Sequence, residues 1–167
     1  MRQKKDFYIN SAIELAPKLL GKLLCRKINQ QIIKLRIIET EAYYGESDTA
    51  CHAHKGRTNR TEVMYEEGGI AYVYLCYGVH YLLNVVTGSK NFPEAVLIRS
   101  IEGFNGPGRT TQHLKIDKSL NNLDLVHSNE IWIEDDGEKP RYKADKRVGI
   151  DYATKVYRDK KWRFVKC

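Results

Sequence analysis

Segments with β-strand patterns constrain the fold of this chain more than any other feature. Val, Ile, Leu and Tyr are concentrated in short runs bounded by turn-forming residues, a composition that is typical of strands joined by turns. Residues 22–28 and 30–43 flank a turn near Asn29 and Gln30, which predicts a hairpin. Successive strands with short connections indicate a mainly antiparallel sheet. Further strands are predicted at residues 70–76, 80–88, 94–102 and 161–166.

Two short helices are predicted beside this sheet. Ser11 and Glu14 have the spacing of a capping box and precede an apolar stripe, so we expect a helix that ends near Gly21. A second helix is expected within residues 106–116, after a Gly-Pro turn. No linker divides the 167 residues, and we therefore predict one mixed α/β (α+β) domain over residues 1–167.

The composition predicts a soluble globular protein that favours polyanions. The chain has 42% hydrophobic and 29% charged residues, a net charge of +7, and no run that approaches the length of a membrane span. A basic surface favours nucleic acids because each neutralised phosphate releases counterions, although many basic proteins bind no polyanion. The N-terminus lacks an apolar signal core, so we expect a cytoplasmic protein at the bacterial nucleoid, or a nuclear one in a eukaryote.

Several common chemistries have no motif in this chain. It contains no P-loop, no dinucleotide-binding fingerprint and no Ser/His/Asp nucleophile motif. Cys51, His52 and His54 lie too close together for a typical zinc set, and no second pair completes one. We therefore expect no metal site. The four cysteines lack the pattern of a disulfide scaffold and are expected to be free thiols.

An apolar strand runs into acid and tyrosine in the segment LRIIETEAYYGESD. Alternate residues of a strand share a face, so Leu35, Ile37, Glu39, Glu41 and Tyr43 are expected on one side. A carboxylate that follows apolar residues on the same face is partly desolvated, and it then needs a partner or serves as a base. The segment by itself also fits a strand end that emerges into solvent with both acids paired to lysines.

Tyrosines are concentrated in the segment AYVYLCYGVHY. Tyr72 and Tyr74 share one strand face, and Tyr77 precedes Gly78 at a natural turn. One interpretation is a tyrosine-rich core with hydroxyl groups at its edges. The other is a stacking surface, because flat rings in a basic protein suit unstacked bases. Local sequence leaves both open.

Five motifs occur together in one order: IIETEAYYGESDTACHAHKGRT, AYVYLCYGVHYLLNVVT, EAVLIRSIE, GPG and RVGI. This combination resembles the alkyladenine (3-methyladenine) DNA glycosylase family, and the similarity runs from about residue 7 to the C-terminus. The resemblance implies a base excision repair enzyme, a monomer that flips a damaged purine out of double-stranded DNA and hydrolyses its N-glycosidic bond. It also implies a single domain with a curved, mainly antiparallel sheet and flanking helices, and neither metal nor organic cofactor.

The resemblance assigns catalytic roles to three positions. Glu41 matches the general base that activates the attacking water. Arg99 matches an arginine near the water and the DNA backbone. Val148 matches a position whose main-chain carbonyl helps to hold the water. Glu39 does not match the catalytic position and is expected to be structural.

Five further positions match residues that bind the flipped base or fill the gap that it leaves in the duplex. Tyr43, His52 and Tyr74 match the walls of a pocket that stacks on the flipped purine, and aromatic walls suit an alkylated base that is often cationic. Asn84 matches a position that disfavours guanine. Tyr77 matches the residue that wedges into the duplex and fills the gap. No lysine lies in the matched pocket, so we expect hydrolysis and no strand cleavage.

The chain departs from the family pattern at two threonines. Thr61 stands where asparagine is usual in the loop after the histidines, and Thr110 stands where leucine is usual after the Gly-Pro-Gly. These changes bear on the order of the loops and on the lesion range. Two alternatives stay open: a binding module of the same fold that recognises damaged nucleic acid without chemistry, and an enzyme that acts on small nucleosides.

Overall fold

A computed structural model describes residues 1–167, which form four short α-helices and eight strands. Three single-turn 3₁₀ helices lie between them, at His52–Lys55, Glu62–Tyr65 and Lys118–Leu120. None of the helices is both long enough and apolar enough to cross a bilayer. The elements are α1 (Lys5–Tyr8), α2 (Ala12–Leu19), β1 (Leu23–Ile28), β2 (Gln31–Tyr44), β3 (Ala71–Cys76), β4 (His80–Val86), β5 (Glu94–Ile101), α3 (Pro107–His113), β6 (Ile131–Glu134), β7 (Tyr142–Asp145), α4 (Lys155–Arg158) and β8 (Arg163–Lys166).

The strands form one antiparallel sheet that curls into a half-barrel, which confirms the predicted fold class. The strand order is β3-β4-β5-β2-β1-β6, and β8 pairs with both β2 and β7. The long strand β2 is central: its first half pairs with β1, and its second half pairs with β5 and β8. The acid-rich end of β2 therefore lies in the interior of the sheet.

The predicted local structures agree with the observed ones. Asn29 and Gln30 have φ values of 48° and 68°, which gives the β1–β2 hairpin its two-residue turn. Helix α2 begins after Ser11, whose side chain accepts a hydrogen bond from the main-chain N–H of Glu14 at 3.3 Å. The hydroxyl of Thr40 donates to the main-chain oxygen of Ala16 at 2.8 Å, which fixes α2 against β2.

The main core lies between α2, the inner face of the sheet and the segment after α3. It contains 23 buried residues, among them Leu15, Leu19, Val85, Ile98 and Leu114. A second, smaller cluster of seven residues lies under the loop that joins β2 to β3. The two clusters hold opposite faces of the sheet, which leaves the face with the smaller cluster available for a cleft.

The alternation predicted along β2 is wrong at one point. Ile37 is fully buried in the main core together with Ala42, although strict alternation put it on the face of Glu39 and Glu41. The pairing of β2 with β5 is irregular between Ile37 and Thr40. Irregularities of this kind bend a strand and redirect its side chains. As a result, the apolar first half of β2 faces the core, while Glu41 in its second half faces the cleft.

Candidate active site

Glu41 lies at the base of a cleft of about 1430 Å³, and its side chain is fully buried. Its Oε1 accepts a hydrogen bond from the Tyr43 hydroxyl at 2.8 Å. Its Oε2 accepts one from the main-chain N–H of Val148 at 2.7 Å. Arg99 Nη1 lies 3.7 Å from Oε1. Three groups from three separate segments therefore orient one carboxylate.

The surroundings of Glu41 increase its affinity for a proton. Burial raises the pKa of Glu41 above its usual value, because the charged form loses its hydration. The charge of Arg99 and the hydrogen bonds from Val148 and Tyr43 act in the opposite direction. Burial also raises the pKa of Tyr43, so its hydroxyl remains protonated and donates to Glu41. A raised proton affinity in an oriented carboxylate suits a general base.

Arg99 stands between two carboxylates. Its Nε donates to Glu39 Oε1 at 3.1 Å while its Nη1 faces Glu41. Glu39 also accepts hydrogen bonds from the Ser100 hydroxyl at 2.8 Å and from Arg163 Nη1 at 3.2 Å. Glu39 is therefore held by three donors and in turn holds Arg99 beside Glu41, which is a structural role.

Aromatic side chains surround a small pocket that adjoins the cleft. The rings of His52 and Tyr74 have centroids 4.4 Å apart at an interplanar angle of 66°. His52 Nδ1 lies 3.2 Å from the Tyr72 hydroxyl. Asn84 is 4% exposed, and its Nδ2 donates to the main-chain oxygen of Tyr72 at 3.3 Å. The structure thus brings Tyr43, His52, Tyr74 and Asn84 together around one space.

Tyr77 stands at the tip of the β3–β4 hairpin, as the sequence predicted. Tyr77 and Gly78 have φ values of 50° and 66°, and the N–H of Val79 donates to the main-chain oxygen of Cys76 at 3.1 Å. Three residues therefore connect the paired positions Cys76 and His80, and the first two of them have positive φ values. The Tyr77 side chain is 92% exposed and lies at the edge of the cleft.

The two histidines of the loop have separate partners. His52 faces the pocket, whereas His54 Nδ1 lies 2.7 Å from the main-chain oxygen of Glu46. The structure contains no group of three or more His, Cys, Asp or Glu side chains arranged to hold a metal ion. Cys51 is buried, and none of the four cysteines forms a disulfide.

The family model of methylpurine-DNA glycosylases matches residues 6–105 and 103–166 of the chain. The chain belongs to the methylpurine-DNA glycosylase family. This family membership makes the protein an enzyme of DNA repair, a hydrolase of N-glycosyl bonds whose partner is DNA with damaged bases.

Two similar proteins support the membership in the methylpurine-DNA glycosylase family. A Borrelia garinii protein is 47% identical over 171 residues, which span 95% of this chain and 92% of the relative. A Natranaerobius thermophilus protein is 44% identical over 188 residues, which span 98% of this chain and 94% of the relative. Both carry the name "Putative 3-methyladenine DNA glycosylase".

Two buried residues beside the site were not predicted from the sequence. Arg147 Nη1 and Nη2 donate to Asp48 Oδ2 and Oδ1 at 2.7 and 3.0 Å, and neither side chain is exposed. The guanidinium carbon of Arg147 lies 4.9 Å from the centroid of the Tyr43 ring. Because Arg147 precedes Val148, this pair fixes both the ring and the N–H that contact Glu41. Asp48 and Arg147 both lie within the motifs that carry the family resemblance, and that position was the one indication in the sequence of a role at the site.

The two threonines that depart from the family pattern are both buried and hydrogen bonded. Thr61 Oγ1 accepts from the main-chain N–H of Thr58 at 2.8 Å and donates to the main-chain oxygen of Gly56 at 3.0 Å. Thr110 Oγ1 donates to the main-chain oxygen of Gly106 at 3.0 Å. The Thr61 hydroxyl therefore closes a turn beside the cleft, whereas the Thr110 hydroxyl bonds back to the first turn of helix α3.

Proposed function

We propose that this protein releases alkylated and deaminated purines from double-stranded DNA with a water activated by Glu41. The lesions are 3-methyladenine, 7-methylguanine, hypoxanthine and ethenoadenine. The observation that carries the proposal is Glu41 itself, a fully buried carboxylate oriented by Tyr43, Val148 and Arg99 at the base of a basic cleft. We expect a monomer that acts where genomic DNA is held, with one catalytic domain over residues 1–167.

The reaction needs a base and a negative charge at one position. Glu41 takes a proton from water as the water oxygen bonds to C1′ of the sugar, and the C1′–N bond breaks with its electron pair leaving on the base. The sugar acquires oxocarbenium character, which a nearby carboxylate stabilises. In this proposal the main-chain carbonyl of Val148 holds the water, and Arg99 stands near the water and the DNA backbone.

The pocket receives the flipped base in this mechanism. Tyr43, His52 and Tyr74 supply flat walls for stacking, which is favourable for any purine. Asn84 is positioned to oppose the exocyclic amino group of guanine. Cationic purines are also better leaving groups, because they depart as neutral bases, so the chemistry adds discrimination to the binding.

Tyr77 fills the space that the flipped nucleotide leaves. Its ring is exposed on a short turn, and such rings insert between base pairs at modest cost to the protein. A wedge serves a duplex and not a free nucleoside, which favours DNA as substrate over small nucleosides.

The test is base release by the wild-type protein and by Glu41→Gln. Glutamine retains the shape of the side chain, and its single oxygen can still accept from the Val148 N–H while its amide group faces the Tyr43 hydroxyl, but it accepts no proton from water. With a duplex that carries one hypoxanthine, and with methylated DNA, we expect release to fall by about 10²- to 10⁴-fold. Glu130→Gln, a change at an exposed glutamate, is the matched control and should release bases at the wild-type rate.

The alternative binding module predicts a different result. A folded wild-type protein that binds lesion-containing DNA but releases no base would support that alternative and reject the glycosylase. Release that persists in Glu41→Gln would leave the glycosylase but reject Glu41 as the base.

A further inference from the structure

Arg60 lies at the mouth of the pocket formed by the tyrosines and His52. Its guanidinium carbon is 5.0 Å from the centroid of the Tyr74 ring, and the residue lines the cleft. The charge of Arg60 also acts on His52. Burial, the larger cause, and the charge of Arg60 together lower the pKa of His52 to about 4. His52 is therefore neutral at neutral pH while Arg60 is charged.

No carboxylate neutralises Arg60. Its neighbour Arg57 pairs with Glu62 at 3.3 Å, and Arg147, which lies over the Tyr43 ring, is paired with Asp48. Arg60 is exposed to water, and no ion pair of the structure includes it. The wall at Tyr74 therefore carries a positive charge that no nearby acid cancels.

We propose that Arg60 is a specificity-determining residue that favours uncharged purine lesions over cationic N-alkylated purines. The inference rests on the proposed function, since it concerns which base that pocket accepts. A cation over an aromatic ring is attracted by the π cloud that would otherwise attract a cationic base. It also repels a second cation directly, whereas a neutral base such as hypoxanthine or ethenoadenine retains its full stacking on Tyr74.

The size of the effect follows from the exposure of Arg60. Cation–π attraction at exposed sites is modest, about 0.5–1 kcal/mol, and water screens the direct repulsion. We therefore expect Arg60 to change the ratio of rates for cationic and neutral lesions about two- to fivefold. Arg60 tunes a preference and does not decide whether the chemistry occurs.

The experiment compares single-turnover release of 7-methylguanine and of hypoxanthine from the same duplex sequence. Arg60→Gln should raise the ratio of 7-methylguanine to hypoxanthine release about two- to fivefold, and Arg60→Lys, which keeps the charge, should stay close to wild type. Arg57→Gln is the matched control. It removes an arginine that lies 4.4 Å from the Tyr65 ring in the same loop but does not line the cleft, and the ratio should not change.

A second readout does not depend on catalysis. Arg60→Gln should raise the pKa of His52, followed by NMR in the absence of DNA, and Arg57→Gln should leave that pKa unchanged. An unchanged pKa in Arg60→Gln would overturn the proposed placement of the charge. Equal loss of release for both lesions would overturn the specificity role and indicate a DNA contact. Wild-type protein that releases neither base would instead reject the proposed function.

Discussion

Glu41 shows how one residue combines burial with orientation. The carboxylate is removed from water, yet it retains two hydrogen bonds and a cationic neighbour. A buried carboxylate without partners would be protonated. A carboxylate with many hydrogen-bond donors around it would have a low pKa and would be a weak base. Glu39 differs in its contacts, because the side chains of Arg99, Ser100 and Arg163 all donate to it.

The raised pKa of Glu41 predicts the pH dependence of base release. The base must be ionised, so activity should fall as the pH decreases through the pKa of Glu41. Burial raises that pKa, and the acid limb of kcat/KM should therefore lie above the usual glutamate value of about 4.3. The measurement is release of hypoxanthine from duplex DNA across pH, under conditions where the protein stays folded. A rate that is constant down to pH values below about 4 would contradict a raised pKa for the base.

The same shift predicts a stability effect. A carboxyl whose folded pKa is raised binds its proton more tightly in the folded state, so ionised Glu41 lowers stability above the unfolded pKa. Glu41→Gln removes this charge, and its thermal midpoint at neutral pH should equal or exceed that of the wild type. The difference should shrink as the pH falls and Glu41 becomes protonated. A lower midpoint at neutral pH would show that the contacts of the carboxylate outweigh its burial.

At the scale of elements, the β3–β4 hairpin places the exposed ring of Tyr77 at a backbone position that is unfavourable for a tyrosine. Tyr77 has a positive φ, a conformation that most side chains avoid but that Asn and Gly adopt readily. If only the stability of the turn mattered, Asn or Gly would be favoured at this position. The strain is consistent with the wedge role proposed for the ring.

Tyr77→Asn is expected to separate these two properties. The substitution relieves the backbone and should stabilise the protein by about 1 kcal/mol. It removes the ring, so release from a paired lesion should fall, with a smaller loss on single-stranded DNA. Thermal unfolding and base release measure the two effects, and Tyr77→Phe, which keeps the ring, is the control. Equal losses on duplex and single strand would argue against a wedge.

At the scale of the whole molecule, the basic charge of the chain extends into the cleft. The chain has a net charge of +7. The cleft is lined by one acid, Glu41, and by four Lys and Arg side chains. The four basic residues are Lys55, Arg60, Arg99 and Arg109. Cations along a cleft raise the local concentration of a polyanion and guide its approach.

Binding to undamaged duplex should therefore depend steeply on salt. The logarithm of the affinity is expected to fall linearly with the logarithm of salt concentration, with a slope of about −0.9 for each phosphate contacted. Anisotropy titrations at several salt concentrations would give the slope. Double substitution of Lys55 and Arg109 by Gln should make it shallower, and a flat response in the wild type would contradict a role for the basic cleft.

The sequence by itself determined much of the local structure of this protein and, through its motifs, the candidate residues of the site. The patterns of strands β1–β5 and β8, the turns at Asn29 and Tyr77 and the cap of α2 depend on neighbouring residues, so they were predicted correctly, whereas the short strands β6 and β7 were not predicted. The motif order led to Glu41 and to the walls of the pocket. These features rest on spacing within single segments, which a sequence displays directly.

Only the tertiary structure decided which distant groups meet. Val148 donates to Glu41 across 107 positions of the chain, and Arg147 pairs with Asp48 across 99. The irregular pairing of β2 and β5 redirects Ile37 to the core, because a strand's faces depend on its partner as well as on its own alternation. Arg60 likewise acquires its position over Tyr74 from the folding of a loop. Long-range contacts of this kind leave no periodic trace in a sequence, and they set the charge and proton affinity of the site.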